Sequence, residues 1–243
     1  MSGVTEGYFN LGNIYYSGNP LCELPVDMKK AMHWFGKAAD EGDCDAMYFL
    51  GVAMEDLEMV RRAAENGHGG AMHYMALHGY NDLSVEEGER LARFRREIEA
   101  AATEGGDCDA MAVLADCYFK GDDGFDVDHS AALKWWLKAG EEGDNADAAV
   151  SAGALLFAGS PEFNIEQNRS YAFTMYQRGG ELGSVDGWRN VAACYELGEG
   201  VPECKKSAQY IVDTIIKGAS ETSLAAAPGA GAPLAKGWAA APK

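Results

Sequence analysis

The chain has 243 residues, enough for one large domain or two small ones, and its 47% hydrophobic and 24% charged residues are those of an ordinary globular protein. Its 38 acidic residues outweigh 20 basic ones, a formal net charge of −18. That balance repels nucleic-acid phosphates and anionic membrane surfaces and favours solubility or basic partners, an acidic surface being more often only a solvated one.

The first residues, Met-Ser-Gly-Val-Thr-Glu-Gly-Tyr, have neither the basic region nor the apolar core of a secretory leader. No stretch approaches the roughly 18 consecutive apolar residues of a membrane span, so direct membrane insertion is not expected. The expected location is the cytoplasm or another reducing intracellular compartment.

A helix pattern begins by residue 6 and then recurs. The phrase Gly-Asp-Cys-Asp-Ala-Met stands at 42–47 and again at 106–111. It marks a register anchored on Gly7, Ala46, Ala71, Ala110, Ala148 and Gly187. Four residues after each anchor come Leu11, Leu50, Met75, Leu114, Ala152 and Val191. Five after it the residue is always small: Gly12, Gly51, Ala76, Ala115, Gly153 and Ala192. Eight after it stand Tyr15, Met54, Gly79, Tyr118, Leu156 and Tyr195. Positions zero, four and eight make one helical stripe, and the small residue lets a second helix approach closely. Gly18, Gly121, Gly159 and Gly198 then stop the pattern. Asp45, Asp109, Asp147 and Asp186, one residue before the anchor, are the candidate N-terminal caps of this helix A.

A helix B follows in each unit, with Lys30–Ala39 in the first and Ala131–Ala139 in the fourth as its clearest examples. Pro20, Pro25, Pro161 and Pro202 all fall between helices A and B, never inside a helix, where each would cost ~3 kcal/mol. The second unit is truncated: Met54 leads almost directly into Leu57–Ala64, so the A–B loop and parts of both helices are lost. The third unit is the most divergent, with Arg93, Arg95 and Arg96 on its helix B, and a local irregularity is expected there. A single helix pair cannot bury its own apolar face, so pairs must stack into a one-dimensional array. From Ala225 onward Ala, Gly and Pro dominate, so the solenoid is expected over 1–220 and a flexible tail over 221–243.

These residues resemble the Sel-one-like repeat family, relatives of the tetratricopeptide repeat. The first unit carries the resemblance most fully, through Leu11-Gly12, Tyr15, Gly18, Val26, Asp27, Lys30-Ala31, Trp34-Phe35, Lys37-Ala38-Ala39 and Gly42. The fourth unit matches strongly, the fifth and sixth fairly, the second and third weakly. What the resemblance implies is an all-α fold, a right-handed α/α superhelical solenoid of about six helix-pair repeats, acting as a protein-binding scaffold or adaptor and not as an enzyme. A constitutive structural subunit or assembly factor is the alternative, and a β-lactam-binding hydrolase-like relative a remote one.

The residues themselves hold little chemistry. There is no phosphate-binding loop, no nucleophile elbow, no paired zinc histidines and no nucleophile beside a base in the sequence, so no catalytic residue, metal or cofactor is assigned. His68, His73 and His78 are spaced by five, which turns successive rings about 140° apart on a helix, too far to share a metal. Asp122, Asp123, Asp126 and Asp128 crowd one loop but lack the glycine placement of a calcium hand. The cysteines read as free thiols; only Cys194 and Cys204 flank one loop closely enough to pair.

If helix A lines the concave face, positions two, six and nine after the anchor point into the groove. Phe9, Tyr48, His73 and Arg189 hold position two and Tyr16, Tyr80, Phe119 and Phe157 position nine. Aromatic side chains anchor interfaces well, burying much area for few rotatable bonds. The expected partner is a protein, a peptide or helix that the acidic rim favours when basic. The competing reading packs these rings against neighbouring units.

Overall fold

In the computed structural model, which describes residues 3–18 and 24–216, the chain forms twelve α-helices. The first members of the pairs are α1 (Gly3–Ser17), α3 (Cys44–Met54), α5 (Gly69–Tyr80), α7 (Cys108–Lys120), α9 (Ala146–Ala158) and α11 (Val185–Leu197). Their partners are α2 (Met28–Asp40), α4 (Leu57–Glu65), α6 (Glu87–Thr103), α8 (His129–Glu141), α10 (Arg169–Glu181) and α12 (Lys205–Tyr210), the last continuing as one π-helical segment, Ile211–Ile216. Each helix packs on its chain neighbours, α5 touches α7 and α9 touches α11 on one side, and α8 touches α10 on the other. The result is two layers of antiparallel helices, the A layer and the B layer, stacked unit upon unit. No β-strand occurs among the described residues. The boundary expected near residue 220, the tail, Pro20 and Cys22 lie outside them.

The caps correct one expectation. The side chains that close the A helices stand three residues before the anchor, not one: Asp43 accepts from the Ala46 amide at 2.8 Å, Asp107 from Ala110 at 2.7 Å and Asn145 from Ala148 at 2.7 Å. Ser184 does the same for Gly187, and in α5 the cap is a histidine, with His68 Nδ1 accepting from Ala71 at 2.9 Å. A capping oxygen must reach the free amide at N2 or N3, which fixes it outside the helix. Asp45, Asp109, Asp147 and Asp186 already lie within the first turn, where they favour the helix dipole only.

The full-length A–B loops share one fastening. The carbonyl eight residues after the anchor accepts from the amide of the residue that caps helix B: Asp27 to Tyr15, Asp128 to Tyr118, Asn168 to Leu156 and Cys204 to Tyr195, each at 2.8 Å. Pro25, Pro161 and Pro202 sit inside these loops, where no helical amide is needed. The second unit replaces the loop by Glu55 and Asp56 alone, and Glu55 takes the left-handed conformation (φ 57°) that glycine holds in other units.

Packing follows the small residues. A Cβ on Gly12 would lie 2.5 Å from the Phe35 ring, and one on Gly153 2.8 Å from Tyr176, so glycine lets helices A and B of one unit touch. Between units the close approach is made by a small pair near the end of helix B: Ala38-Ala39, Ala63-Ala64, Ala101-Ala102, Ala139-Gly140 and Gly179-Gly180. A Cβ on Gly140 would meet Ala149 of the next A helix at 2.7 Å, and one on Gly180 the Trp188 ring at 2.7 Å. The buried core is divided in two. One cluster runs from Ala31 to Ala71 and the other from Ala76 to Ile211, so the division falls inside α5. The nine-residue α4 buries only Val60 and Ala63, too little to carry the core across.

Candidate protein-binding surface

The residues singled out on the A helices separate into exposed and engaged ones. Tyr16 is 48% exposed; its ring lies 6.4 Å from Phe35 and 6.5 Å from Phe49. Phe9 is half-buried between the same two rings, at 5.6 and 6.1 Å. Phe49, 40% exposed, stacks on Phe35 at 5.8 Å and joins the two units, yet it stands three residues after its anchor and was absent from the positions selected by register. At about 100° per residue, position three also points away from helix B, so the signal was present. Val52 and Leu77, both at position six, are exposed as well. Tyr16, Phe49, Val52 and Leu77 are thus exposed apolar residues of α1, α3 and α5, with Tyr16 and Phe49 in ring contact. In the last three units the only large hydrophobic exposed on an A helix is Leu197, among the described residues.

Tyr48 and His73 belong to a rim formed by the A-helix N-termini. The cap of one helix reaches the first turn of the helix before: His68 Nε2 lies 3.2 Å from Asp45, and Asn145 Nδ2 donates to Asp109 at 2.7 Å. Tyr48 lies against the His68 ring at 4.6 Å, and burial raises its hydroxyl above the usual tyrosine range. His73 Nδ1 lies 3.2 Å from Asp107, the cap of α7, while its Nε2 is buried with no hydrogen-bond partner. Burial pushes the Asp107 carboxyl up, but the His73 contact and the Ala110 amide outweigh it and hold it below the ordinary value. His78 is exposed on the last turn of α5, so the three histidines do different work.

The remaining aromatics pack within the solenoid. Tyr80 meets Phe94 at 4.8 Å and donates to Asp123 Oδ1 at 2.7 Å, which raises its own pKa. Phe119 stacks on His129 at 4.5 Å and lies 5.2 Å from Trp136, whose indole N–H donates to Asp116 at 3.0 Å. Burial raises the Asp116 carboxyl pKa above its ordinary value. Phe157 takes the Arg169 guanidinium over its face at 5.4 Å. Arg189 is exposed and paired with Asp186 one turn earlier.

One nucleophile–base neighbourhood that the sequence hid appears here. His129 Nδ1 and Ser160 Oγ are 2.9 Å apart across 31 residues of chain, so a serine does stand beside a histidine. The imidazole is held between Phe119 and Phe163, and Ser160 belongs to the bridged loop that closes on Ile165. The pair fastens α8 to the next unit's loop. In the acidic loop, Asp128 caps α8, Asp123 accepts from Tyr80, and Cys117 lies with Asp122 and Asp123 in a loose group whose donor atoms are within 4.8 Å of one another. Cys44, Cys108, Cys117, Cys194 and Cys204 are free thiols. Burial pushes Cys117 up to about 12, whereas Cys204, at the start of α12, is lowered by its Ser207 hydrogen bonds.

Two layers of paired helices, joined by recurring capped loops and small-residue junctions, define an α/α solenoid of the helix-repeat class. The Sel1 repeat pattern matches residues 5–43, 108–144, 146–184 and 189–210, and the chain belongs to the Sel1 repeat family. The unmatched stretch between 43 and 108 holds the truncated and divergent units. Among solved structures the chain is similar to a Sel1 repeat protein of Oxalobacter formigenes, with TM-score 0.66 and 22% identity over 90% of this chain and 65% of that one. It is similar to a protective antigen of uropathogenic Escherichia coli with the same repeat fold, with TM-score 0.62 and 24% identity over 85% of this chain and 44% of that one. A Pseudomonas aeruginosa protein follows at TM-score 0.56 and 14% identity, over 90% and 83% of the two chains. The chain therefore spans less than two thirds of the first two relatives. A search of the curated proteins finds no match. Sel1 repeats are generally protein-interaction scaffolds and typically non-catalytic. No helix among the described residues is long and apolar enough to cross a membrane.

Proposed function

We propose that this protein is a non-catalytic scaffold that binds a peptide or helix of another protein along its concave A-helix face, chiefly at the N-terminal half. The observation that carries this is that Tyr16, Phe49, Val52 and Leu77 are exposed on three successive A helices although their own core does not need them, with Tyr16 and Phe49 in ring contact. Phe9 and Tyr48 both lie against the Phe49 ring, and amphipathic helices are recognised by such rows of apolar anchors. Tyr80, Phe119 and Phe157 give the groove shape while packed in place, and Arg189 stands at its far end. The net charge of −18 favours a partner with basic flanks, which it would draw in faster at low salt.

The test is affinity capture from native extract with the wild type and with a Tyr16→Ala, Phe49→Ala, Leu77→Ala variant whose thermal melt is unchanged. A protein captured by the wild type and lost from the variant, more weakly held as salt rises, is the expected result. Equal capture by both would move the interface off this face.

A further inference from the structure

The side chains that cap the described helices are aspartate, asparagine, serine or glutamate, and in α5 alone a histidine. The Ala71 amide donates to His68 Nδ1 at 2.9 Å, while Nε2, on the other side of the ring, lies 3.2 Å from Asp45 in the first turn of α3. An imidazole nitrogen that accepts from an amide carries no proton of its own. The two contacts therefore specify one form of the ring, neutral, with its proton on Nε2 where it donates to Asp45. A carboxylate, amide or hydroxyl cap keeps its accepting oxygen throughout the mildly acid range; an imidazole does not keep its lone pair.

A proton added to Nδ1 would point at the Ala71 N–H, so the protonated ring and the cap exclude one another. It would also set a positive charge at the positive end of the helix dipole. The titratable groups set against the ring are Asp45 and Tyr48 of α3 and, across Gly70, the Asp107 carboxylate at the start of α7, with His73 of its own helix beyond it. From α4 the contact is the Ala63 carbonyl, which accepts from the His68 main-chain amide. Asp45 is half-exposed and already takes the Nε2 proton of the neutral ring, so charging the ring only strengthens a contact that water screens. Asp107 is already engaged by the Ala110 amide and by His73, and Tyr48 lies on the ring in either state. The His68 carbonyl lies 3.1 Å from the Ala71 amide, but it also receives the Met72 amide and is a shared, poorer acceptor. Nothing set against the ring replaces what the Ala71 amide loses.

The turn that this cap closes has little else to secure it. Gly69 and Gly70 open α5, and glycine holds a helix weakly. Gly69 seats on the turn before α7 so closely that a Cβ would lie 2.4 Å from the Gly105 carbonyl oxygen, a fit that a frayed turn cannot keep. On the other side stands the short α4, and the core divides within α5, between Ala71 and Ala76. We propose that His68 is an acid-sensitive latch at the junction of the two halves of the solenoid. Neutral, it holds the first turn of α5 against α3 and the Gly105 turn; protonated, it releases that turn. The latch belongs to the fold and does not depend on what the concave face binds.

The experiment is a titration of the full chain, uniformly labelled with heavy nitrogen, from about pH 7.5 to about pH 5 by nuclear magnetic resonance. At the upper end the ring nitrogens of His68 should report a proton on Nε2 and none on Nδ1. As His68 takes up its second proton, protection of the Ala71 amide against hydrogen exchange, referred to its intrinsic rate, should fall roughly fivefold, the population change that one N-cap is worth. The amides of Ala46, Ala148 and Gly187, capped by Asp43, Asn145 and Ser184, should keep their protection. His68→Asn supplies the kind of cap that α9 uses and should keep Ala71 protected at both ends of the range; His68→Ala should leave it open at both. The wild-type titration is decisive by itself should the alanine variant fail to fold. A proton on Nδ1 at neutral pH, Ala71 protection that ignores the His68 titration, or the same pH dependence in His68→Asn, where His73 and His78 remain, overturns the proposal.

Discussion

Substituting alanine for two glycines of the B layer should give opposite results. At Gly140 the added methyl would lie 2.7 Å from Ala149 Cα, 2.8 Å from its Cβ and 2.9 Å from its nitrogen. These are main-chain and β-carbon atoms that no rotamer change can move, so α9 must retreat by about 1 Å from a close-packed junction. Overpacking of this kind costs ~1–3 kcal/mol, while replacing a mid-helix glycine by alanine returns about 1 kcal/mol of helix propensity. The expected net effect of Gly140→Ala is a loss of up to ~2 kcal/mol. At Gly36 a Cβ meets nothing within 4 Å, so Gly36→Ala keeps the propensity term alone and should stabilise by about 1 kcal/mol. For a chain of this size each kcal/mol moves the melting temperature by ~2–4 °C. Thermal and urea melts followed by far-ultraviolet circular dichroism read both variants against the wild type. The register sharpens the comparison, since Ala39 stands at Gly140's position in the first unit and is buried without difficulty. If both substitutions raised the midpoint, the junction would not be set by backbone approach and the small-pair rule would fail with it.

Two further outcomes follow from the rim and the thiols. Because the Asp107 carboxyl is held below its ordinary value of 3.8 in the fold, its ionised form stabilises the protein above that pH, and the contribution disappears as pH falls through the lowered value. Asp107→Asn should therefore be less stable than the wild type at neutral pH, with the gap closing on acidification below 3.8, as measured by urea midpoints across the pH range. Among the described cysteines, Cys204 is lowered whereas Cys117 is raised to about 12 and buried. Iodoacetamide at mildly alkaline pH should label Cys204 first and leave Cys117 untouched until the protein unfolds; mass-mapped labelling in the reverse order would contradict the packing of α7.

The repeat itself was legible in the chain because it is a local property. A helical stripe at positions zero, four and eight, a small residue at five, and prolines confined to the loops each reflect one helix or one turn, and the six A helices among the described residues follow from them. The truncated second unit was equally plain, since the anchor spacing there shortens to 25 residues, from Ala46 to Ala71. The caps lie two residues before the aspartates that the register marks, because an aspartate inside the first turn and one just before it carry the same composition signal; only backbone geometry tells which oxygen reaches the amide. His68 as a cap was invisible for the same reason.

What tertiary structure alone decided is which side of each helix remains uncovered. Leu11 and Leu114 occupy one register position and read identically, yet one is 37% exposed and the other 1%, because a neighbour covers only the second. Phe119 and Tyr16 likewise share position nine. The first is held against His129 and Trp136, while the second stands open beside Phe49. His129 and Ser160 meet only because consecutive units stack. Local periodicity fixes how each helix is built, but burial is a property of pairs of helices, and the chain acquires it only when the units assemble.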